Sequence, residues 1–150
     1  MKSKLIIGKK DKADFPELDL YDIDVKVDTG AYTSSIHCHK IKELEIDGIK
    51  YIEFQLLDPG HKDYNHKKFR VANYREKNIK SSIGKSEKRF LIKTKIFIFN
   101  KTFTLELSLS ERSEMRYPVL IGRKLLNNKF IVDTSLSNLS YANKIKAIND

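Results

Sequence analysis

The sequence predicts a mainly β protein, built on a small closed or strongly curled sheet with little helix. Two pairs of strand-like segments, each pair joined by a short turn, lead to this prediction. Only residues 122–128 and the tail 143–149 have a helical pattern. Because 150 residues with 40% hydrophobic content can build one ordinary core, residues 1–150 are interpreted as a single domain.

Both hairpins are predicted from alternating apolar and polar residues. The first covers 42–57 and turns at Asp47-Gly48, two residue types that tolerate the positive φ of a tight hairpin turn. The second covers 89–110, with Asn100-Lys101 as the predicted turn. The alternation in each indicates strands that are buried on one face.

The positive charge is confined to one stretch. Residues 61–101 hold 13 Lys or Arg against three acids, a surplus of +10, whereas the other 109 residues hold 16 basic and 17 acidic groups. Such a field attracts a polyanion, although a solvated surface would have the same composition. An acidic peptide and a nucleic acid both fit the charge, but aromatic residues are not interleaved as in common RNA-binding motifs.

Several classes of protein are not expected from the composition. Apolar runs such as 119–121 are far too short to span a bilayer, and the N-terminus lacks the apolar segment of a signal peptide. Cys38 is the only cysteine, so a disulfide within the chain is excluded. We therefore expect a cytoplasmic protein with no membrane partner.

Two segments contain the residues that could perform chemistry. In KVDTGAYTSSIH (26–37), Asp28 directly follows an apolar strand end, and a glycine two residues later allows close backbone approach. Alone, this segment is explained at least as well by an ordinary strand-ending turn. In RYPVLIGRKLL (116–126), three apolar residues lead into Gly122, Arg123 and a helix start.

Together these segments resemble the retropepsin-like aspartic peptidases, and more closely the bacterial family labelled "ATP-dependent zinc protease". That family is associated with ATP-grasp amino-acid ligases of the RimK type. Four segments fall in the family's order: KVDTGAYTSSIH, IKSSIGKSEKRF (79–90), RYPVLIGRKLL and FIVDTSLSNL (130–139). The resemblance implies a small closed acid-protease barrel with one short helix after Gly122, and a functional link to such a ligase.

The resemblance also implies an aspartic peptidase mechanism, in which two carboxylates share one proton and activate a water molecule. This chain has one Asp-Thr-Gly, so the active form is expected to be a homodimer with one Asp28 from each subunit. Asp133-Thr134-Ser135 lacks the glycine and is interpreted as a turn.

Supporting roles carry over from the family's motif. Thr29 is expected to hydrogen-bond across the dimer axis, Gly30 to leave room for substrate, and Ala31 to complete the motif. Gly122 and Arg123 form the crossing segment. Retroviral enzymes pair this arginine with an acid, but that position is Tyr32 here, which leaves Arg123 without a predicted partner.

The segment 79–90 resembles a substrate-covering flap. Ser81, Ser82 and Gly84 match the family's signature, and Glu87 and Arg89 match its downstream charged pair. A solvated hairpin explains these polar residues equally well.

No cofactor and no metal are predicted. A P-loop needs a glycine where Ile79 stands, although Gly84-Lys85-Ser86 matches its end. On a strand, His37 and His39 share a face while Cys38 points away, and no HExxH motif exists to complete a zinc site. His37 matches a histidine of the family and is either a supporting group or a packed strand residue.

Three functions follow from these observations. The leading hypothesis is an aspartic peptidase that cleaves peptide substrates, including glutamate-rich tails. The alternative is a non-catalytic basic module that binds nucleic acid or an acidic protein partner. A metallopeptidase is a weaker third.

Overall fold

A computed structural model describes residues 3–57, 61–62, 64, 66–80, 84–111 and 116–149. The strands in these ranges are β1 Leu5–Ile7, β2 Lys10–Phe15, β3 Leu20–Val27, β4 Ser34–Ile46, β5 Ile49–Leu56, β6 Lys68–Val71, β7 Tyr74–Lys80, β8 Ser86–Ile98, β9 Lys101–Ser110, β10 Val119–Ile121 and β11 Phe130–Val132. The helices are α1 Arg123–Leu126 and α2 Leu139–Asn149. The predictions of a mainly β protein and of a short helix after Gly122 are thus confirmed.

The larger sheet has the strand order β10-β3-β2-β8-β9-β4-β5-β6, with β7 added on β8. Strand β10 also pairs with β4, so one short strand contacts β3 in parallel and β4 antiparallel. The two elements that flank the Asp28 segment are therefore joined through β10. Strands β1 and β11 form a separate parallel pair.

Side chains from the inner faces of these strands form one apolar core. Val25, Ile36, Ile96, Leu107 and Val119 are each fully buried in it. Burial of such branched side chains is the main contribution that fixes the strands around the Asp28 segment.

The first predicted hairpin is confirmed in detail. Strands β4 and β5 pair up to Ile46 and Ile49, and the turn residues Asp47 and Gly48 have φ of 52° and 78°. Both residues are in the left-handed region that a two-residue hairpin turn requires.

The turn of the second hairpin lies one residue earlier than predicted. Ile98 pairs with Lys101, so Phe99 and Asn100 form the turn, with φ of 52° and 57°. The left-handed backbone conformation is energetically unfavourable for phenylalanine, because its Cβ lies too close to the following carbonyl oxygen. Its ring packs against Phe130 at a centroid distance of 6.0 Å, and its N–H donates to Ser140 Oγ at 2.8 Å. These tertiary contacts place the turn there.

Helix α2 begins four residues before the tail segment that was predicted to be helical. The buried carboxylate of Asp11 accepts hydrogen bonds from the N–H groups of Ser140 and Tyr141, at 2.9 and 3.0 Å. An acidic side chain from a distant strand thus satisfies the open N–H groups of the helix start. No helix in the described part of the chain is long and apolar enough to cross a membrane.

Candidate active site

Asp28 lies at the point where β3 and β10 end side by side. The parallel pairing runs to Val27 and Ile121, and the N–H of Asp28 donates to the carbonyl of Ile121 at 2.8 Å. The structure therefore brings together the two sequence segments singled out above. Gly122 comes directly after Ile121, the residue of β10 whose carbonyl accepts the Asp28 N–H.

The Asp28 carboxylate is half-buried and partly free. Its Oδ1 accepts the N–H of Gly30 at 3.1 Å, and the carbonyl of Asp28 accepts the N–H of Ala31 at 3.2 Å. Thr29 and Gly30 are exposed. Within the described residues nothing hydrogen-bonds to Oδ2, so this oxygen is available to water or to another carboxyl group.

Gly122 is required by a close backbone approach. A Cβ there would lie 2.6 Å from the carbonyl oxygen of Tyr32 and 2.9 Å from the carbonyl carbon of Thr33. Its φ of −95° is ordinary, so the constraint is space. The N–H groups of Arg123 and Lys124 donate to the carbonyls of Ala31 and Tyr32, at 2.9 and 2.8 Å. The start of α1 thus holds the loop that follows Asp28.

Ser34 is a residue of this site to which the sequence analysis gave no role. Its buried Oγ accepts the N–H of Gly122 at 3.0 Å. This bond fixes the first residue of β4 to the end of β10. The only sequence signal was the position of Ser34 inside KVDTGAYTSSIH, and serine is too common in strands and turns for that to indicate a role.

The structure supplies a partner for Arg123. Its Nη1 donates to the carbonyl of Thr29 at 2.8 Å, and its guanidinium carbon lies 5.8 Å from the centroid of the Tyr32 ring. The Tyr32 ring therefore stands where retroviral enzymes have an acid, and the arginine contacts both Thr29 and Tyr32 in the loop after Asp28.

Of the predicted flap residues, Gly84, Glu87 and Arg89 lie on or next to strand β8, which pairs with β7. Strands β7 and β8 pair from Tyr74–Ile92 to Lys80–Ser86, so the chain reverses between Lys80 and Ser86. Gly84 is exposed with φ of 81°, whereas Ser81 and Ser82 lie outside the described residues. Gly84-Lys85-Ser86 leads into strand β8, and a P-loop leads into a helix.

Glu87 and Arg89 form an ion pair with a distance of 3.1 Å between Oε2 and Nη2. They line a shallow groove of about 210 Å³, and Arg89 Nε is buried there without a hydrogen-bond partner among the described residues. No hydrogen bond or ion pair in the described ranges joins either residue to the Asp28 loop. The structure thus does not bring this pair into direct contact with the Asp28 site.

Asp133 opens a local turn, as predicted. Its Oδ1 accepts hydrogen bonds from the N–H of Ser135 at 2.9 Å and from its hydroxyl group, and these bonds lower the pKa of Asp133. This carboxylate is exposed, and its Oδ1 is already hydrogen-bonded within its own turn by Ser135.

The His37–His39 segment lies within β4. Cys38 is fully buried, which raises the pKa of its thiol well above the ordinary value. His37 is buried beside Ser110 of β9, and the His39 ring packs edge-on against Tyr64 with centroids 6.0 Å apart. In the ranges that the structure describes, no three His, Cys, Asp or Glu residues cluster as potential metal ligands.

Comparison with known proteins relates this arrangement to one family. A family profile described as RimB-like, "Retropepsin-like aspartic endopeptidase RimB", matches residues 6–142. A crystal structure of a protein of unknown function from Legionella pneumophila is similar, with a TM-score of 0.73 and 27% identity. The match covers 92% of this chain and 99% of that one.

Two curated relatives are each named "Probable alpha-L-glutamate ligase". The protein from Shewanella pealeana is 38% identical over 141 residues, and that from Desulfotalea psychrophila is 35% identical over 134 residues. These matches cover 90% and 89% of this chain but only 30% and 29% of the relatives. The chain thus spans less than a third of the length of these curated relatives.

Proposed function

This chain belongs to the RimB-like family of retropepsin-like aspartic endopeptidases, and we propose that it is an aspartic peptidase active as a homodimer with a retropepsin-like barrel fold. One observation carries the proposal: the Asp28 turn is clamped by β10 and α1 while Asp28 Oδ2 remains free of any described partner. A reactive carboxylate needs this combination of fixed backbone and open oxygen.

The dimer follows from the number of suitable carboxylates. Each chain supplies one Asp-Thr-Gly, and the other Asp-Thr pair, at Asp133, is held by Ser135. A second catalytic carboxylate therefore comes from the partner subunit's Asp28, across a two-fold axis. Thr29 is exposed next to Asp28, which supports its proposed role in the contact between the two loops.

The two carboxyl groups share one proton because two adjacent negative charges repel each other. The ionised Asp28 takes a proton from a water molecule, and the resulting hydroxide attacks the carbonyl carbon of the scissile peptide bond. The protonated carboxyl group of the partner subunit's Asp28 gives its proton to the carbonyl oxygen. When the tetrahedral intermediate collapses, the C–N bond breaks and the amine nitrogen takes up a proton from the first Asp28. The ionised carboxylate of the partner subunit's Asp28 takes a proton from one hydroxyl group of the intermediate, which leaves the carboxylic acid product and restores the single shared proton.

An acidic peptide is the proposed substrate class, in particular a glutamate-rich tail. The surplus of +10 over residues 61–101 supports a negatively charged substrate. The names of the curated relatives refer to glutamate ligases, and this supports a functional link between peptidase and ligase.

A mass-spectrometric cleavage assay tests the proposal. The protein is incubated with a mixed peptide library that includes glutamate-extended peptides, from about pH 4 to 8, the range in which an acid dyad operates. We expect cleavage that Asp28→Asn abolishes and that Asp133→Asn and a metal chelator leave intact. Cleavage that survives in Asp28→Asn, or that the chelator stops, would contradict the aspartic mechanism. Salt-sensitive polyanion binding without any cleavage would favour the basic binding module instead.

A further inference from the structure

We infer that a groove beside the middle of β4 binds the acidic part of a peptide. It has a volume of about 300 Å³ and is lined by Lys40, Ile41, Lys42, Glu53, Gln55 and Lys68. The inference rests on the proposed function for the identity of that peptide as substrate. The groove itself is argued below from contacts and charge.

The groove is built on a bulge in β4. Two rows of paired residues cross β4, β5 and β6 here, Lys42–Glu53–Arg70 and His39–Gln55–Lys68. The register shifts between His39 and Lys42, and Lys40 within the bulge has φ of 55°. A bulge bends its strand and re-aims a side chain, and a non-glycine residue in the left-handed region is uncommon. The backbone of β4 thus departs from regular strand geometry at this groove.

Among its described residues, the groove has more positively charged side chains than its one acid, Glu53, can pair with. The buried Glu53 accepts a hydrogen bond from Arg70 Nε at 2.8 Å, and Lys42 Nζ lies 3.5 Å from its other oxygen. Lys40 and Lys68 have no ion-pair partner in the described ranges. Two lysines therefore line the groove without an acid among the described residues to pair with them, next to Glu53, which already pairs with Arg70 and Lys42.

Gln55 adds a neutral donor. Its Oε1 accepts a hydrogen bond from the Tyr64 hydroxyl group at 3.0 Å, and its amide nitrogen bonds to no described residue. The groove thus offers ammonium and amide N–H donors together. Charge-assisted hydrogen bonds from such donors bind carboxylates strongly.

The lining favours an acidic peptide over a nucleic acid. The lining residues that the structure describes include no aromatic ring, whereas single-stranded nucleic acid is usually bound by stacking its bases on aromatic side chains.

The groove is also within reach of the candidate active site. Lys40 lies six residues after Ser34 on β4, and Ser34 bonds to Gly122. Six residues of extended chain span at most about 20 Å. A peptide whose acidic residues lie about six positions from the scissile bond can therefore reach both sites.

Binding of a fluorescein-labelled hexaglutamate peptide, followed by anisotropy, tests the inference without requiring cleavage. Every protein carries Asp28→Asn, so that no turnover interferes. One variant adds Lys40→Gln with Lys68→Gln, and a matched control adds Lys93→Gln with Lys101→Gln, which removes the same charge from exposed lysines outside the groove. Gln55→Glu is a third variant, nearly isosteric, that places a carboxylate in the groove.

We expect the groove variant to weaken binding about three- to tenfold, as two exposed ion pairs would. The control should stay within about twofold at the same ionic strength, and Gln55→Glu should weaken binding as well. Equal losses in groove and control variants would overturn the inference, as would no loss in either. Tighter binding of a U6 RNA oligonucleotide that depends on the same lysines would overturn the assignment to a peptide.

Failure of the proposed function gives a different result. If hexaglutamate binding depends on the groove lysines but the wild-type protein cleaves nothing, the groove is supported and the peptidase is not. If the wild type cleaves acidic peptides but the groove variant binds hexaglutamate as tightly as its Asp28→Asn parent, the peptidase is supported and the groove is not.

Discussion

Arg123, the first residue of α1, packs over Tyr32 in the loop after Asp28, with the guanidinium carbon 5.8 Å from the centre of the ring. The same guanidinium group donates to the carbonyl of Thr29 at 2.8 Å. A cation thus bridges the residue after Asp28 and the aromatic residue that stands where retroviral enzymes have an acid. This contact predicts which atoms of Tyr32 matter.

Tyr32→Phe should leave stability unchanged, because the contact uses the face of the ring. Tyr32→Leu removes the ring and should lower the free energy of unfolding by about 0.5–1 kcal/mol, the range for an exposed cation–π contact. Urea unfolding at pH 7 measures both variants. A loss of similar size in Tyr32→Phe would show that the hydroxyl group, and not the ring, provides the stabilisation.

Ser34→Ala should lower the free energy of unfolding more than Tyr32→Leu does. It leaves the buried N–H of Gly122 without its hydrogen-bond acceptor, and an unsatisfied buried donor costs about 1–3 kcal/mol. Ser35→Ala is the control, since Ser35 is the next residue along β4 and is less buried. Ser34→Ala, but not Ser35→Ala, should have a lower free energy of unfolding in urea and a lower rate of peptide cleavage. Equal stability of the two variants would mean that water replaces the hydroxyl group of Ser34.

Glu106 predicts how stability depends on pH. Its nearly buried carboxylate accepts two hydrogen bonds from Arg75 at 2.9 and 2.6 Å and one from Lys124 at 3.2 Å. These bonds join β7, β9 and α1, and they hold the pKa of Glu106 below its ordinary value of 4.5. Between the lowered pKa and 4.5, Glu106 is therefore protonated in the unfolded chain and ionised in the folded protein. This stabilisation is complete above pH 4.5 and is lost as the pH falls through the lowered pKa.

Glu106→Gln should consequently be less stable than the wild type at pH 7, and the difference should shrink as the pH falls below 4.5. Urea unfolding from about pH 7 to 3 measures this, across the region in which carboxylates titrate. Glu45→Gln, at an exposed position, should follow the wild-type curve. A difference that stays constant with pH would show that the ionised form of Glu106 contributes nothing special.

The sequence predicted those features that depend on neighbouring residues. Asp47 and Gly48 are residue types that tolerate the positive φ of a hairpin turn, so the turn could be predicted from them alone. The hydrophobic run before Gly122 indicated a strand that ends at a helix. The turn at Phe99 and Asn100 was placed one residue late because contacts with Phe130 and Ser140 decide it. No local pattern carries such information.

Long-range polar contacts were missed for the same reason. Asp11 satisfies the start of α2 across 129 positions of sequence, and Ser34 bonds to Gly122 across 88. Both are ordinary residue types for a strand, so nothing marks them before the chain is folded. The partner of Arg123 was left open for a related reason, since the family pattern offers only an acid as the partner and this chain has the Tyr32 ring at that position.

The proposed active site predicts how mixtures of wild type and Asp28→Asn behave. If each dimer needs both Asp28 carboxylates and the subunits exchange freely, an equal mixture contains only about a quarter wild-type dimers. Cleavage at constant total protein should therefore fall to about a quarter of the wild-type rate, whereas a site complete within one chain would leave about half. A mixture with Asp133→Asn should retain the full rate, because Asp133 is committed to its own turn. Peptide cleavage after prolonged co-incubation provides the measurement, and a rate that stays at half would refute the shared site.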